Sequence, residues 1–600
     1  MRILAGIFVS LLFTVTTFAQ RDRDNRLEFT TMVAHWAKYD GPEYLDFIDE
    51  AKPDLVQLGF YGAHFWSLAH TPQYKGYPSH FPVQGFAECG KWFDDKIKAL
   101  HDRKRLVIGH FNVEFLVGDP DSDQGPRGFF KFYHDLWDEK ELGPKPVDDP
   151  ISLLERDGEG KPIKSSSYKI GGMNEYWGCL RNPDWQKVLK AWVTRGIKRG
   201  IDGFIANYFY RHNCLCEHCQ GGFRTYLKKR FNKSELAAKL GIKNLDSHVF
   251  TEIVAWHKPE ESTPLRLEML RWSQIANKQA FDEVFIKHGR SLKPDLIVAQ
   301  WNHLSAFSQI RGDERCALPA ELWGKGEDYL WYSMGASGYY TDLAKGFLGE
   351  GTLQARYLRS AFDDKPFTLG KYESVRTRVA IAELAANGGS PMGFYARHTD
   401  PDARAIFAQY YGFIHQYDTI YRANRPYSEL TLLYPRKAVH QGNVEPVERF
   451  KTHGDELLDE HVLFDVWPDD LSDKGRYEWP KEKRPSSSRF KGPSTVRVSA
   501  SRPAKSDTEI NLHFVNYNRE EPPRLKNGKA NPGRTPADEK PIAVEGMTAD
   551  FLIPPGFKVN RLEFITPEEP KPVKVEFTRT ATRIKFDVPR FLVYGVIRIR

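Results

Sequence analysis

Residues 182–209 read NPDWQKVLKAWVTRGIKRGIDGFIANYF. Asn182 is a favourable helix N-cap, and Pro183 suits the first helical position, where its missing N–H costs nothing. Trp185, Val188, Leu189, Trp192, Val193 and Ile197 then recur at helical spacing, which predicts a helix with one buried face. The apolar run 203–209 is too short for a second helix and predicts a buried strand. A helix feeding a buried strand is half of a parallel β/α repeat, and the chain repeats it from Leu27 to about Arg422.

Eight strands are predicted, at residues 29–35, 54–61, 105–114, 203–209, 296–302, 328–334, 367–373 and 391–397, with the periodic segment 265–291 leading into the fifth. The expected fold is α/β, a (β/α)8 TIM barrel over residues 20–425. Each strand run ends in polar or aromatic residues, where such a barrel keeps its site. The longest insertion, 116–180, is rich in Gly, Pro and Asp and is expected to roof that site.

Beyond residue 426 the pattern changes. Residues 430–434 and 462–466 read as strands around an amphipathic segment at 447–459, a partial α/β segment over 426–480. KEKRPSSSRFKGP (481–493) is a polar linker. Short alternating strands from 495 to 598 then predict a C-terminal β-sandwich over 494–600.

Residues 1–19 read as a signal peptide. Arg2 is followed by an apolar stretch from Ile3 to Phe13, and Thr17-Phe18-Ala19 supplies small residues for cleavage after Ala19. A secreted or periplasmic location follows as an expectation, with no membrane partner, because the stretch is too short to remain as a spanning helix. The net charge of +7 has two readings, simple solubility or an acidic partner such as a sulfated or uronic-acid polysaccharide. No nucleic-acid partner is expected, since no reading motif accompanies the charge. Aromatic residues make up 13% of the chain, a share that suits ligands stacked on rings.

The six cysteines are too few for a disulfide scaffold, but three crowd into Cys214-x-Cys216-x-x-Cys219. Three thiolates at that spacing suit a structural zinc, and a fourth ligand must come from elsewhere, Cys179 or His212. The competing reading is a disulfide with a spare thiol. No cofactor is expected for catalysis.

The run DGFIANYFYRHNCLCEHCQGGFRTYL (202–227) resembles the fourth-strand segment of family 42 β-galactosidases and related hypothetical glycoside hydrolases, in which a strand end precedes C-x-C-x-x-C and a helix beginning F-x-x-(Y/W)-L. SELTLLYP (428–435) and HGDELLDEHVLFDVWPDD (453–470) resemble the start of their flavodoxin-like, amidotransferase-type second domain. INLHFVNYN (510–518) resembles the strand that opens their C-terminal sandwich. The resemblance implies a glycosidase barrel, and it implies Cys179 as the upstream zinc ligand. There are two departures. The second domain is cut to its first half, so a trimer built through it does not follow. The family's fourth-strand Asn-Glu, whose glutamate is the general acid/base, is replaced here by Ala206-Asn207-Tyr208.

Glycoside hydrolysis needs two carboxyl groups facing each other across the scissile bond. Glu373 ends the seventh predicted strand, where the resemblance places the nucleophile, and is expected to be nucleophile or base. Its alternatives are substrate binding or an ion pair with Arg376 or Arg378. Glu114 ends the third strand and is the expected acid, with a salt bridge as its alternative. Glu175 and Asp342 are further candidates for the acid. His35, Trp36, Tyr61, His64, Asn207, Arg211, His212, Trp301, Asn302, Tyr372, Arg397 and His398 lie at strand ends and are expected to bind sugar rings and hydroxyls. The function read from the sequence is an exported glycoside hydrolase acting on an oligo- or polysaccharide, an anionic one among the options. The alternatives are a non-catalytic carbohydrate-binding barrel that has lost the fourth-strand acid, or a metal-dependent barrel hydrolase.

Overall fold

The computed structural model describes residues 20–21, 27–34, 41, 43–63, 87–207, 214–251, 263–303, 326–333, 341–362, 364–370, 375–394, 398–441, 443–471 and 487–600. Eight parallel strands form its central sheet: β1 (Met32–Ala34), β2 (Leu55–Gly62), β3 (Leu106–Asn112), β4 (Gly203–Asn207), β5 (Ile297–His303), β6 (Leu330–Ser333), β7 (Phe367–Gly370) and β8 (Met392–Phe394). Their order is 7-6-5-4-3-2-1-8. The sheet curls until the start of β8 meets the start of β7, where Ser390 N–H donates to the Phe367 carbonyl at 2.8 Å. The fold is therefore a (β/α)8 TIM barrel.

Helices wrap the outside: α1 (Glu43–Ala51), α2 (Ala87–Asp102), α3 (Pro183–Lys198), α4 (Glu217–Arg230), α5 (Pro264–Phe281), α6 (Gly351–Ala361), α7 (Thr377–Ala386) and α8 (Pro401–Gln416). In α3 the Asn182 side chain accepts from Asp184 N–H at 2.9 Å, and Trp185, Val188, Leu189, Trp192 and Val193 form the buried face. Ile197 is only half-buried, and Gly196 takes its place against the barrel.

Side chains alternate across each strand. Met32, Leu55, Ile108, Ile205 and Ile297 fill the N-terminal half of the barrel interior, while Val33, Val56, Val107, Phe204 and Val298 pack under the helices. β2 breaks this alternation. Its register with β3 shifts between Gln57 and Phe60, so that Phe60 pairs with His110 and Tyr61 with Phe111. The bulge passes through Gly59 at φ 86°, where a Cβ would lie 2.1 Å from the Phe93 ring. Only glycine fits such a left-handed position at such close approach.

The insertion between β3 and β4 is a small antiparallel sheet, built from Phe115–Asp119, Arg127–Gly128, Lys164–Ile170 and Met173–Trp177. It starts immediately after β3 and so stands at the C-terminal face of the barrel. After α8 comes a truncated flavodoxin-like segment, strands β9 (Leu430–Tyr434) and β10 (Phe464–Pro468) paired in parallel and joined through α9 (Glu445–Asp459). Leu430, Leu432, Tyr434, Phe450 and Val466 share one core with Leu353 and Tyr357 of α6. The segment is thereby bound to the barrel wall.

The C-terminal β-sandwich has a six-stranded and a four-stranded antiparallel sheet. Val498, Leu512, Phe514 and Ile597 of the first meet Phe490, Phe551, Ile584 and Phe586 of the second. The other face of the six-stranded sheet packs on the barrel, with Tyr594 6.0 Å from Phe413 between ring centroids and Tyr517 donating to Glu383 of α7 at 2.5 Å. Arg425–Pro426, the chain leaving the barrel, supplies that sheet's edge strand against Ser501 and Arg502. Among the described residues, no helix is long and apolar enough to cross a membrane.

Candidate functional site

Toward the C-terminal ends of the strands the barrel interior changes character. The aliphatic side chains give way to Gln57, Phe60, His110, Asn112, Asn207, Trp301 and Trp331, all buried. Asn207 on β4 places its amide nitrogen 3.3 Å from Nε2 of His110 on β3. An amide N–H can only donate, so in this pairing Nε2 is the acceptor. The His110 ring lies 4.8 Å from Trp301 and 5.7 Å from Phe60, and Trp301 stacks on Trp331 at 5.0 Å and 23°. Five neighbouring strands, β2 to β6, thus present a continuous aromatic and amide surface.

Glu114 continues the inward phase of Ile108, His110 and Asn112 just past the end of β3, and its side chain is fully buried. Its backbone is held from two sides. Val113 N–H donates to the Asn207 carbonyl at 3.1 Å, the Val113 carbonyl accepts from Trp185 Nε1 at 3.0 Å, and the Glu114 carbonyl accepts from Gly178 at 2.8 Å. Asn112 Oδ1 caps the turn by accepting from Phe115 N–H at 3.0 Å. A carboxylate at this point is fixed by β4, by α3 and by the roofing sheet together.

Asn207 and Trp301 thus meet through His110, and Glu114 follows on the same inward phase of β3. The structure corrects the assignment of Tyr61. The β2 bulge turns this ring outward, between Phe93 at 5.9 Å and Phe204 at 5.7 Å, beneath the helices. Tyr61 is a core residue, and Phe60 occupies the inward position instead. His398 is likewise packed away from the mouth, against Tyr44 and Phe47 of α1 at 5.6 and 6.0 Å. Asp342 is bound by both terminal nitrogens of Arg524, at 2.7 and 3.2 Å. That contact holds its carboxyl below the usual range, the wrong direction for a general acid. Glu175 sits within the roofing sheet, opposite Val117 and Ser165.

Glu373, Tyr372, His35, Trp36, His64, Arg211, His212 and Arg397 lie outside the described residues, as does the side chain of Asn302 on β5. The arginines considered as partners for Glu373 have described contacts of their own, which leave that pairing open. Arg378 pairs with Glu539 at 3.0 Å, and Arg376 donates to Thr341 Oγ1 at 2.8 Å and to the Asn531 carbonyl at 3.0 Å. His110, Phe60 and Trp331 share this interior surface, and the strand-end reading does not select them. Alternation along Ile108-x-His110-x-Asn112 and Tyr329-x-Trp331 identifies two of them, while the bulge hides the third.

The four cysteines Cys179, Cys214, Cys216 and Cys219 form one cluster, with all sulfurs within 4.8 Å of one another. Cys179 Sγ is 3.5 Å from Cys219 Sγ and 3.7 Å from Cys216 Sγ, and all four are free thiols. Zinc with bonds of about 2.3 Å to four sulfurs needs sulfur–sulfur edges of about 3.8 Å, so the donor set fits a tetrahedral ion in both chemistry and size. Hydrogen bonds from Cys179, Cys214 and Cys219 hold the Cys216 thiol far below its ordinary value, while Cys179 and Cys219 are pushed well above theirs, so without an ion the cluster favours a single thiolate. Cys179 ends the roofing insertion and Cys216 is the N-cap of α4, while Arg156 N–H donates to Cys214 Sγ at 3.2 Å. The cluster ties the roof to the loop after β4.

No protein-family description and no curated protein matches the chain. Its fold is similar to that of several solved structures. α-L-Fucosidase isoenzyme 2 from Paenibacillus thiaminolyticus is 10% identical with a TM-score of 0.58, over 95% of this chain and 99% of that one. Gan42B, a GH42 β-galactosidase from G. stearothermophilus, is 11% identical with a TM-score of 0.57, over 95% and 98%. A cycloisomaltooligosaccharide glucanotransferase from Paenibacillus sp. is 8% identical with a TM-score of 0.51, over 95% and 85%. These structural neighbours are carbohydrate-active enzymes, and at such identities the likeness is one of fold.

Proposed function

We propose that this protein is a glycoside hydrolase acting on an oligo- or polysaccharide, with Glu114 as acid and Glu373 as nucleophile or base. The observation that carries the reading is the His110–Asn207 pair and the Trp301–Trp331 stack at the C-terminal mouth of the barrel, with the buried Glu114 in the same inward phase just past the end of β3. Aromatic faces stack on sugar rings, amides bind hydroxyls, and a carboxyl group at the same mouth supplies the proton for a departing glycosidic oxygen. The fold's similarity to a fucosidase, a β-galactosidase and a glucanotransferase supports it. In this reading residues 1–19 direct export.

The four cysteines would hold a structural zinc, whose bound charge fixes the roof over the mouth. With four protein ligands no position remains for water, so the ion is assigned no chemical step.

Release of reducing ends from a panel of neutral and anionic oligosaccharides tests the proposal. Glu114→Gln and Glu373→Gln should each lower kcat by about 10²–10⁴ while the fold is retained. A wild type that binds a glycan but cleaves none would instead establish a non-catalytic binding barrel. Loss of turnover on chelation, without unfolding, would favour a metal-dependent hydrolase.

A further inference from the structure

The sandwich connection from residue 517 to residue 547 is far longer than joining two strands requires, and loops beyond about 12–15 residues are commonly functional. It forms an ordered arm. Glu520 N–H donates to the Lys540 carbonyl and Ile542 N–H to the Asn518 carbonyl, at 3.1 and 3.0 Å, closing its stem.

The arm does not lie on its own domain. It reaches the loops that follow β6 and β7, at the C-terminal face of the barrel. Thr341 Oγ1 accepts from Arg519 at 2.6 Å and from Arg376 at 2.8 Å, and Arg376 also reaches the Asn531 carbonyl. Glu521 pairs with Arg519 at 2.8 Å and accepts from Leu343 N–H at 3.2 Å, while Glu539 pairs with Arg378. Arg376 stands three residues after Glu373 in the chain.

Beyond these anchors the arm ends in a tight turn. Gly528, at φ 75°, donates to the Leu525 carbonyl at 2.8 Å, and Leu525 N–H donates to the Lys529 carbonyl at 3.0 Å. Arg524, just before the turn, is bound by both nitrogens to Asp342, which sets the turn on the rim of the barrel. No acidic residue occurs from Arg524 to Arg534. Lys526 and Lys529 are exposed, and Leu525 is 43% exposed between them and the anchor. Exposed lysines on a turn contribute little to stability, so the fold does not account for them.

We propose that this arm is a wall of the carbohydrate site and that Lys526 and Lys529 recognise carboxylate or sulfate groups on an anionic glycan. The inference rests on the carbohydrate reading of the barrel and names the substrate class that reading leaves open. The sandwich thereby contributes to specificity rather than serving as a separate module.

The test compares wild type with Lys526→Glu/Lys529→Glu and Lys526→Ala/Lys529→Ala, in binding to oligogalacturonate, a sulfated carrageenan oligosaccharide and a neutral xylo-oligosaccharide. The two anionic probes separate carboxylate from sulfate recognition. Wild type should bind one of them with an affinity that falls with salt. Charge reversal should weaken that binding about tenfold and leave the neutral chain and Tm unchanged. The alanine pair should show a smaller loss in the same direction. The proposal is overturned if wild type binds neither anionic probe, or if the variants bind as wild type does. It is also overturned if the variants lose anionic and neutral chains equally. Cleavage is scored separately. Arm-dependent anionic binding without bond cleavage keeps this inference and defeats the hydrolase reading. Neutral-chain cleavage with no anionic binding does the reverse.

Discussion

The side-chain amide of Asn207 lies 3.3 Å from Nε2 of His110, joining β4 to β3 inside the barrel. The residue that stands where the resemblance expects a catalytic pair on strand four is thus committed to orienting an imidazole. Asn207→Leu removes that donor and should cost about 1–3 kcal/mol of stability by chemical denaturation, because a buried acceptor loses its partner. Glycan affinity should fall with it. Unchanged affinity would place the His110–Asn207 pair outside the site.

Tyr61 gives the opposite expectation. Its ring is fully buried under the helices, and among the described residues its hydroxyl has no hydrogen-bond partner. Tyr61→Phe should leave stability unchanged or raise it by up to about 1 kcal/mol. Tyr61→Ala should cost about 3–5 kcal/mol as a core cavity. Neither should alter glycan affinity at temperatures where the variant is folded.

The cysteine cluster predicts one zinc per chain by elemental analysis. Cys219→Ser should abolish that stoichiometry and lower Tm, and chelation of wild type should reproduce the shift. Because the cluster ties Arg156 and Cys179 of the roof to the start of α4, protease cleavage should then concentrate between residues 150 and 180. A metal-free wild type with the same Tm would remove zinc from the account.

His513 predicts acid sensitivity. It is fully buried between Ser501 and Tyr594, each at 2.8 Å, and burial lowers its pKa to about 3. Between about pH 6.5 and 3 the unfolded chain therefore binds more protons than the folded one. Stability is fully present above about 6.5 and is lost as the pH falls through this window, on the order of 5 kcal/mol in all. His513→Gln should flatten the profile of denaturation midpoint against pH there. An identical profile would assign the acid loss to other groups.

The eight-strand alternation was legible because each buried strand is a short apolar run set between helical patterns. β1 starts later than its run, since Phe29 enters the core without joining the barrel ladder. Alternation also exposes Glu114, Asn207 and Trp301, which share the inward phase. It fails at Tyr61, because one bulge reverses which face every later residue of β2 meets. It fails at His398 for a different reason, since that ring packs against Tyr44 and Phe47 of α1. The Cys214–Cys219 spacing signals a cluster, whereas the proximity of Cys179 depends on how the roofing sheet folds.

The strand order has a consequence for how the molecule is made. β8 pairs with β1, and the residues that meet, Met32 with Met392 and Ala34 with Phe394, stand at opposite ends of the barrel sequence. During synthesis, seven strands can assemble side by side from the N-terminal end, yet the ring stays open until residue 394 is available. Such a distant pairing raises contact order and slows folding, and it leaves two bare sheet edges exposed in the interval. The seam between β7 and β8 is where a half-made chain is most vulnerable.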